Sequence, residues 1–367
     1  MKKVGIITFH NALSYGAALQ SYALQKFLDA NGIDNDIIDY ECDYINKRYK
    51  KLLNIDKRNI PKSLAGSVLR AGNKRLNLKL SREFRQKHMR LSPSYNKSTI
   101  ASCADKYSGF ISGSDQVWSP TCAGFDTAYL LDFAKPGQKF SYAASFGVPV
   151  IPKEKEPEYK KLLEDFSLIS LREQSGEDIV KSVTDKEACV NIDPTLLLKS
   201  SQWDKLACNI ELKKPYILLF GVLKPKNMVQ YAVKLGKEKN LPVYNLTDLH
   251  FPKIDGINYI KPVSPDMFIG LIKNAEYVVT NSFHGSAFSI IYHKKFVMEL
   301  DSYSKRNTRS EELLKMLGIE NKEITKDCSP DPDLPVDWVK ADEILEAERE
   351  KSRLYVGKIK DAIEKAR

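Results

Sequence analysis

The stretch Glu276–Val297, EYVVTNSFHGSAFSIIYHKKFV, constrains the fold more than any other. Tyr277–Val279 is a short apolar run, the mark of a buried strand. A polar corner follows at Thr280–Ser286, and Ala287–Tyr292 then continues at helical spacing. Phe296–Met298 has the pattern of the next strand. His284 therefore stands where a strand hands over to a helix. In open α/β sheets that edge, beyond the carboxyl ends of the strands, is where ligands bind. The N–H groups at the start of the helix suit an anion. Gly285 permits close backbone approach, and an imidazole exchanges a proton near neutral pH. A histidine that caps a helix or hydrogen-bonds inside a packed turn produces the same local pattern, so both readings stand at this point.

A chain of 367 residues is too long for one ordinary core and predicts about two domains. Hydrophobic residues at 43% and charged residues at 28% are those of a soluble globular protein. No stretch has the length and apolarity of a spanning helix, and MKKVGIITF lacks a signal-peptide core followed by a cleavage site, so the cytoplasm is the expected location. The six cysteines are scattered without a C-x-x-C pair, which indicates neither a zinc site nor a disulfide framework. They are expected to be small buried hydrophobes.

The net charge of +10 is unevenly spread. Lys47 to Arg90 carries 15 Lys and Arg against Asp56 and Glu83, a net of +13, which leaves the rest of the chain at −3. A mildly acidic body thus bears one basic segment. Such a segment meets anionic lipid, nucleic acid or an acidic polymer, or is simply a solvated face. No nucleic-acid motif or aromatic stacking series accompanies it, so an anionic membrane surface is the expected partner and nucleic acid is not. The interleaved Leu64, Leu69, Leu76 and Phe84 are candidates for shallow apolar insertion.

In chain order, Val4–Phe9 reads as a strand, His10–Gly16 as a loop, Ala17–Leu28 as an amphipathic helix ended by Gly32, and Asp36–Asp39 as a second strand. This is a Rossmann-like opening without the G-x-G-x-x-G glycines, so no dinucleotide is inferred. The basic segment, expected to be helical, interrupts the alternation. Phe110–Trp118 resumes it with a strand running into a Gly113-Ser114-Asp115 corner. Small residues, hydroxyls and amides there suit an oxyanion. An Asx-type turn with Asp115 capping a helix is the alternative. Lys139–Phe146 reads as a strand ended by Gly147, Leu162–Leu168 as the close of a helix, and Ile169–Leu171 as a strand running into Arg172-Glu173 and a helix from about Ser175. A guanidinium at that edge suits a phosphate or carboxylate; an ion pair with Glu173 or a domain-closing contact is the equal alternative. Val190–Thr195 reads as a strand ending in a sharp turn. From Pro215 a second alternation begins, with strands at Tyr216–Phe220, Pro242–Leu246 and Asn258–Lys261, helices at Met228–Lys237 and Pro265–Lys273, and a polar, basic loop at Leu223–Asn227. Glu311–Leu317 is a helix ended by Gly318, DCSPDPDLPVDW a linker, and Val339–Ile363 a long final helix.

HNALSYGAALQSYALQKFL, FISGSDQVW, YAASFG, SLRE–SG, DPTLLL and TNSFHGSAFSIIYHKKF occur in this order. Together they resemble the polysaccharide pyruvyl transferase family, from the first strand to about Gly318. The resemblance implies two Rossmann-like α/β domains facing each other across a cleft, like the GT-B glycosyltransferases, with a C-terminal helix packing back on the first domain. The expected boundaries are 1–205 for the N-terminal domain with its basic insertion at about 45–92, 206–335 for the C-terminal domain, and 336–367 for the returning helix. The implied reaction moves the carbon skeleton of phosphoenolpyruvate onto two hydroxyls of a sugar, often polyprenyl-linked, and gives a cyclic ketal and phosphate during capsule, exopolysaccharide or cell-wall polymer synthesis. It needs no metal and no cofactor. His284 is the expected catalytic residue. Arg172, Ser282, Gly285, Ser286, Gly113, Ser114 and Asp115, with Asn11, Tyr15 and Gly16 of the first loop, are the expected substrate contacts. A lipid-linked acceptor implies peripheral binding at the inner membrane face.

The sequence departs from the family at one place. Members often read S-R-L-H-G at the histidine corner, with an arginine two places before the histidine; here that place is Ser282. Arg306, Arg309 and Lys224 are the candidates to compensate. The departure keeps two other readings open, a glycosyltransferase using a nucleotide sugar and a non-catalytic accessory of polysaccharide assembly.

Overall fold

The structure, a computed structural model, describes residues 2–50, 60–222, 227–246, 254–300, 308–325 and 328–365, and their side chains apart from 48–50, 60–70 and 308. The chain divides into two compact units, Met1–Leu197 with Ala347–Arg367, and Leu198–Glu346.

Unit 1 opens with β1 (Val4–Ile7), α1 (Tyr15–Ala30) and β2 (Asn35–Tyr40). The side chain of Ser14 caps α1 by accepting from the Ala17 amide, and Gly32 leaves the helix at φ +72°, a conformation glycine adopts without strain. The basic insertion is helical as expected: α2 (Asp43–Lys50) and α3 (Ile60–His88). Then come β3 (Leu91–Tyr95), β4 (Gly109–Ser112), β5 (Lys139–Ser141), α4 (Glu156–Leu163), β6 (Ile169–Leu171), α5 (Gln174–Val183), β7 (Ala188–Val190) and α6 (Pro194–Leu197). The main sheet is parallel, in the order β3-β2-β1-β4-β5. β6 and β7 form a separate parallel pair.

Several expected elements changed. β3 carries Pro93, which argues against a central strand; it lies at the sheet edge, where a missing N–H is tolerated. Only the first part of Lys139–Phe146 is strand. Ala143 takes φ +48°, and Ala144 bridges to Leu171 instead. The helix expected to close at Leu168 ends at Leu163. The strand expected over Val190–Thr195 breaks, because Pro194 starts a helix, where its lack of an N–H costs nothing. Phe84 is buried, with its ring 6.4 Å from that of Tyr22 in α1, so it ties α3 to the unit and is not an insertion residue; Leu76 is half-buried, and the side chains of Leu64 and Leu69 lie outside the described residues.

Unit 2 contains α7 (Ser200–Trp203), β8 (Ile217–Phe220), α8 (Met228–Lys239), β9 (Val243–Leu246), β10 (Ile257–Tyr259), α9 (Pro265–Asn274), β11 (Tyr277–Thr280), α10 (Phe283–Ile291), β12 (Lys295–Glu299), α11 (Thr308–Leu317) and the short β13 (Glu323–Ile324). Its sheet is also parallel, in the order β10-β9-β8-β11-β12-β13. Numbered from its own first strand this is 3-2-1-4-5-6, the doubly wound order, with the reversal between β8 and β11. The central strands β8 and β11 are fully buried and almost wholly apolar, as parallel strands covered on both faces must be, while the edge strand β10 is largely exposed. The α/β class with two Rossmann-like sheets is thus what the sequence led one to expect.

The last helix, α12 (Trp338–Lys365), belongs to unit 1 from Ala347 onward. Arg349 donates to the Leu196 carbonyl at 2.9 Å, Tyr355 to that of Ser141 at 2.9 Å, and Asn191 to Ser352 at 3.4 Å. The helix thereby packs back on the first unit.

One close approach gives a test. A Cβ placed on Gly270 of α9 would lie 1.9 Å from the carbonyl oxygen of Cys208. Gly270→Ala should therefore destabilise unit 2 by at least about 1–3 kcal/mol, read as a lower urea midpoint with far-UV circular dichroism retained.

Candidate active site

The His284 corner sits at the carboxyl edge of the unit 2 sheet, at its reversal point. Ser282 has extended backbone angles, φ −102° and ψ 129°, and its side chain accepts from the Gly285 amide at 3.3 Å, so it is the N-cap of α10. Its own amide donates to the Thr280 hydroxyl at 3.0 Å. Gly285 is required by space: a Cβ there would stand 2.4 Å from the Thr280 hydroxyl oxygen. Ser286 is fully buried and donates to the Phe283 carbonyl at 2.8 Å. Asn281 reaches across the reversal point and accepts from the Val222 amide, just beyond β8, at 2.9 Å. Ser282, Gly285 and Ser286 therefore build the corner, while Phe283 and His284 are the half-exposed residues of the S-F-H-G-S run. The two rings meet edge to face at 5.2 Å. Arg309 of α11 brings its guanidinium to 5.9 Å from the centre of the Phe283 ring, a cation beside the residue that precedes His284. Arg306 and Lys224 lie outside the described residues.

Unit 1 presents its own carboxyl edge, where β1 and β4 are neighbours at the reversal. A Cβ on Gly113 would fall 3.1 Å from that of Thr8, so the two loops pack closely. The Thr8 hydroxyl donates to the Ser114 carbonyl at 2.8 Å and accepts from Gln20 at 2.9 Å. Asp115 holds φ +78°, a left-handed backbone that costs a non-glycine residue about 1 kcal/mol or more and that clusters at functional sites. Arg172 is buried, and it is the hub of an ion network. Its Nη1 donates to Asp193 at 2.7 Å, its Nη2 lies 3.6 Å from Asp115, and its Nε lies 4.0 Å from Glu173. Burial alone would lower the guanidinium pKa; Asp193, Asp115 and Glu173 together outweigh it and hold the group raised. Asp193 also accepts from Ser114 at 3.1 Å and, on its other oxygen, from the Thr195 hydroxyl at 2.7 Å. Of the two readings open for Arg172, the ion pair is the geometry present, with Asp193 rather than Glu173 as the close partner. In the first loop Asn11 donates to the Tyr40 carbonyl at 3.0 Å, Tyr15 is half-buried at the start of α1, and Gly16 is buried.

Sequence reasoning passed over four residues of these edges. Asp193 is one; its signal was an Asp before a Pro that starts a helix. Glu299, buried at the end of β12, accepts from the Asn227 amide at the start of α8. His10 and Asp39 are paired, His10 Nε2 to Asp39 Oδ1 at 3.0 Å, with His10 Nδ1 3.2 Å from the Thr8 carbonyl. They follow from neighbouring parallel strands, a long-range relation with no local signature.

The profile described as "Polysaccharide pyruvyl transferase" matches residues 15–299. The chain belongs to that family. A search of curated proteins gave no match. Among solved structures, UDP-N-acetylglucosamine 2-epimerase from Rickettsia bellii aligns with 12% identity and a TM-score of 0.48, over 99% of this chain and 96% of the other. UDP-GlcNAc 2-epimerase from Neisseria meningitidis aligns with 8% identity and a TM-score of 0.43, over 98% and 94%. The spinosyn forosaminyltransferase aligns with 10% identity and a TM-score of 0.37, over 98% and 95%. Membership makes this pyruvyl transferase an enzyme of polysaccharide biosynthesis, and the matched region contains the His284 corner, Gly113–Asp115, Arg172 and Asp193.

The His10–Asp39 pair predicts a pH dependence for this pyruvyl transferase. The hydrogen bond from His10 holds the Asp39 carboxyl below its ordinary value, against the opposing effect of burial, and Arg85 adds to the lowering. A lowered carboxyl pKa contributes stability above the unfolded value, about pH 4, and loses it as pH falls through the folded value. Asp39→Asn should therefore unfold at lower urea than the parent at about pH 6, with the difference shrinking as pH falls below about 4.

Proposed function

We propose that this transferase takes its pyruvyl group from phosphoenolpyruvate and places it on two hydroxyls of a sugar as a cyclic ketal, with His284 moving the proton. The methylene carbon of the donor gains a proton, which makes C2 electrophilic. One sugar hydroxyl adds to C2, phosphate leaves, and the second hydroxyl closes the ring; one hydroxyl proton ends on phosphate and the other replaces the proton given to the methylene. The observation that carries this reading is His284, half-buried on the carboxyl edge of the sheet in a chain of this family, at a helix start that favours the anionic donor. Arg309 supports it as a nearby cation. Arg172 enters as an anchor of the unit 1 edge, since Asp193 and Asp115 already engage its charge.

Phosphate release from phosphoenolpyruvate with acceptor present tests the chemistry. His284→Ala should lower the rate by about 10²–10⁴ with the fold intact. Full turnover in that variant would remove His284 from the reaction. The Ser282 cap in place of the family arginine supports one competing reading, a nucleotide-sugar donor, and titration with a panel of nucleotide sugars beside phosphoenolpyruvate separates the two.

The acceptor we propose is polyprenyl-linked, which puts the enzyme at the cytoplasmic membrane face. Among the described residues no helix is long and apolar enough to cross a membrane. Binding would then be peripheral, through α2 and α3, where each Lys or Arg near an anionic surface adds about 1 kcal/mol. The protein should sediment with anionic liposomes, less so as salt rises, and changing Lys74, Arg75, Lys79 and Arg82 to Gln should reduce the bound fraction. Equal sedimentation with neutral liposomes would count against the proposal.

A further inference from the structure

A cavity of about 500 Å³ opens in unit 1 beside the end of β2 and the turn Ala123–Thr127. That volume lies within the range of small-molecule sites, and the carboxyl end of a parallel strand is where such sites form. Its walls include Asp43, Tyr44, Lys47, Lys97, Asp126 and Glu158. Tyr44 is the unusual member, a large aromatic ring 46% exposed. The ring is seated, since a Cβ on Gly124 would lie 2.8 Å from it, and Gly124 takes φ +64°. The next residue, Phe125, holds φ +57°, strain of the kind that marks built sites. Asp126 is fixed in turn, accepting from the Tyr40 hydroxyl at 2.6 Å and from the Ala128 amide at 3.1 Å. Lys97 lies 3.4 Å from Asp126 and 2.8 Å from Asp132.

The chemistry of the wall selects the ligand class. Carboxylates and ammonium groups are interspersed with a slight excess of negative charge, which disfavours a phosphate or an anionic polymer. Fixed acceptors and donors of both kinds match a ring of hydroxyls, and an exposed aromatic ring takes the apolar face of such a ring. We propose that this cavity is a saccharide-binding pocket for a neutral or amino-sugar oligosaccharide, with Tyr44 as its platform. That the saccharide is the acceptor of pyruvyl transfer rests on the function proposed above; the binding itself does not.

The full chain should be tested on an array of immobilised neutral, amino-sugar and uronic-acid oligosaccharides, without phosphoenolpyruvate. Neutral or amino-sugar oligosaccharides should be retained. Tyr44→Ala should weaken retention by about tenfold, and Tyr44→Phe, which keeps the ring, should preserve it. Glu158→Gln, in an exposed wall position, should weaken it less, and thermal melting of each variant controls for folding. No retention of any oligosaccharide, preference for the uronic acids, or retention equal in Tyr44→Ala and the parent would overturn the pocket. Tyr44-dependent retention without phosphate release would leave the pocket and remove the pyruvyl reading. Phosphate release with the acceptor KM unmoved by Tyr44→Ala, and no retention, would do the reverse.

Discussion

The geometry of the unit 1 edge depends on the buried pair of Arg172 and Asp193. A guanidinium out of water costs several kcal/mol unless paired and hydrogen-bonded. Here the partner is itself fixed, because Asp193 takes bonds from Ser114 and Thr195 as well as from Arg172. The end of β6, the loop after β4 and the turn before α6 are thereby drawn to one point. Asp115 is held beside them in a backbone conformation that it would not keep alone. Loops that would otherwise sample many arrangements are left with one, which is the preorganisation a binding edge needs.

Unit 2 solves the same problem with neutral groups at the corner itself. Asn281 ties the end of β11 to the start of the loop after β8, and Glu299 ties the end of β12 to the close of that loop. Ser282 caps the helix, Gly285 lets it approach Thr280, and Ser286 bonds within its own first turn. These residues are consumed in building the corner. What they build is the helix start on which His284 stands, so the change from corner-building residues to His284 falls inside a run of five residues.

Much of this was legible in the sequence because the local signals agree with the tertiary ones. Tyr277–Thr280, Ile169–Leu171 and Ile217–Phe220 are short apolar runs bounded by polar corners, and each became a strand. The failures have physical causes. Pro93 masks an edge strand; Ala143 turns the chain inside a run that reads as continuous strand; Pro194 starts a helix where an extended segment was expected. At the sites, the chemistry-bearing types were visible but their partners were not. Arg172 next to Glu173 suggests a pair, yet Asp193, 21 residues away, is the close contact. The Ser-for-Arg departure at 282 reads as a lost charge, while the structure shows what serine does there: it caps α10, a role that arginine fills poorly.

The two edges differ in charge, and the difference bears on what each can hold. Unit 1 sets one buried guanidinium among Asp115, Glu173 and Asp193, so at formal charge its edge is anionic. Two like charges 4 Å apart near a protein surface repel by about 4 kcal/mol. A donor that carries both a carboxylate and a phosphate is therefore poorly matched to unit 1, whose bound hydroxyls and carboxylates suit an uncharged polyol. The unit 2 edge is less anionic, with the buried carboxylate of Glu299 set against a helix start and Arg309 beside the Phe283 ring. If the donor is anionic, as we propose, electrostatics disfavours the unit 1 edge for it and leaves the helix start at His284 as the better match. That preference does not depend on a charge at position 282, where serine serves as the cap of α10.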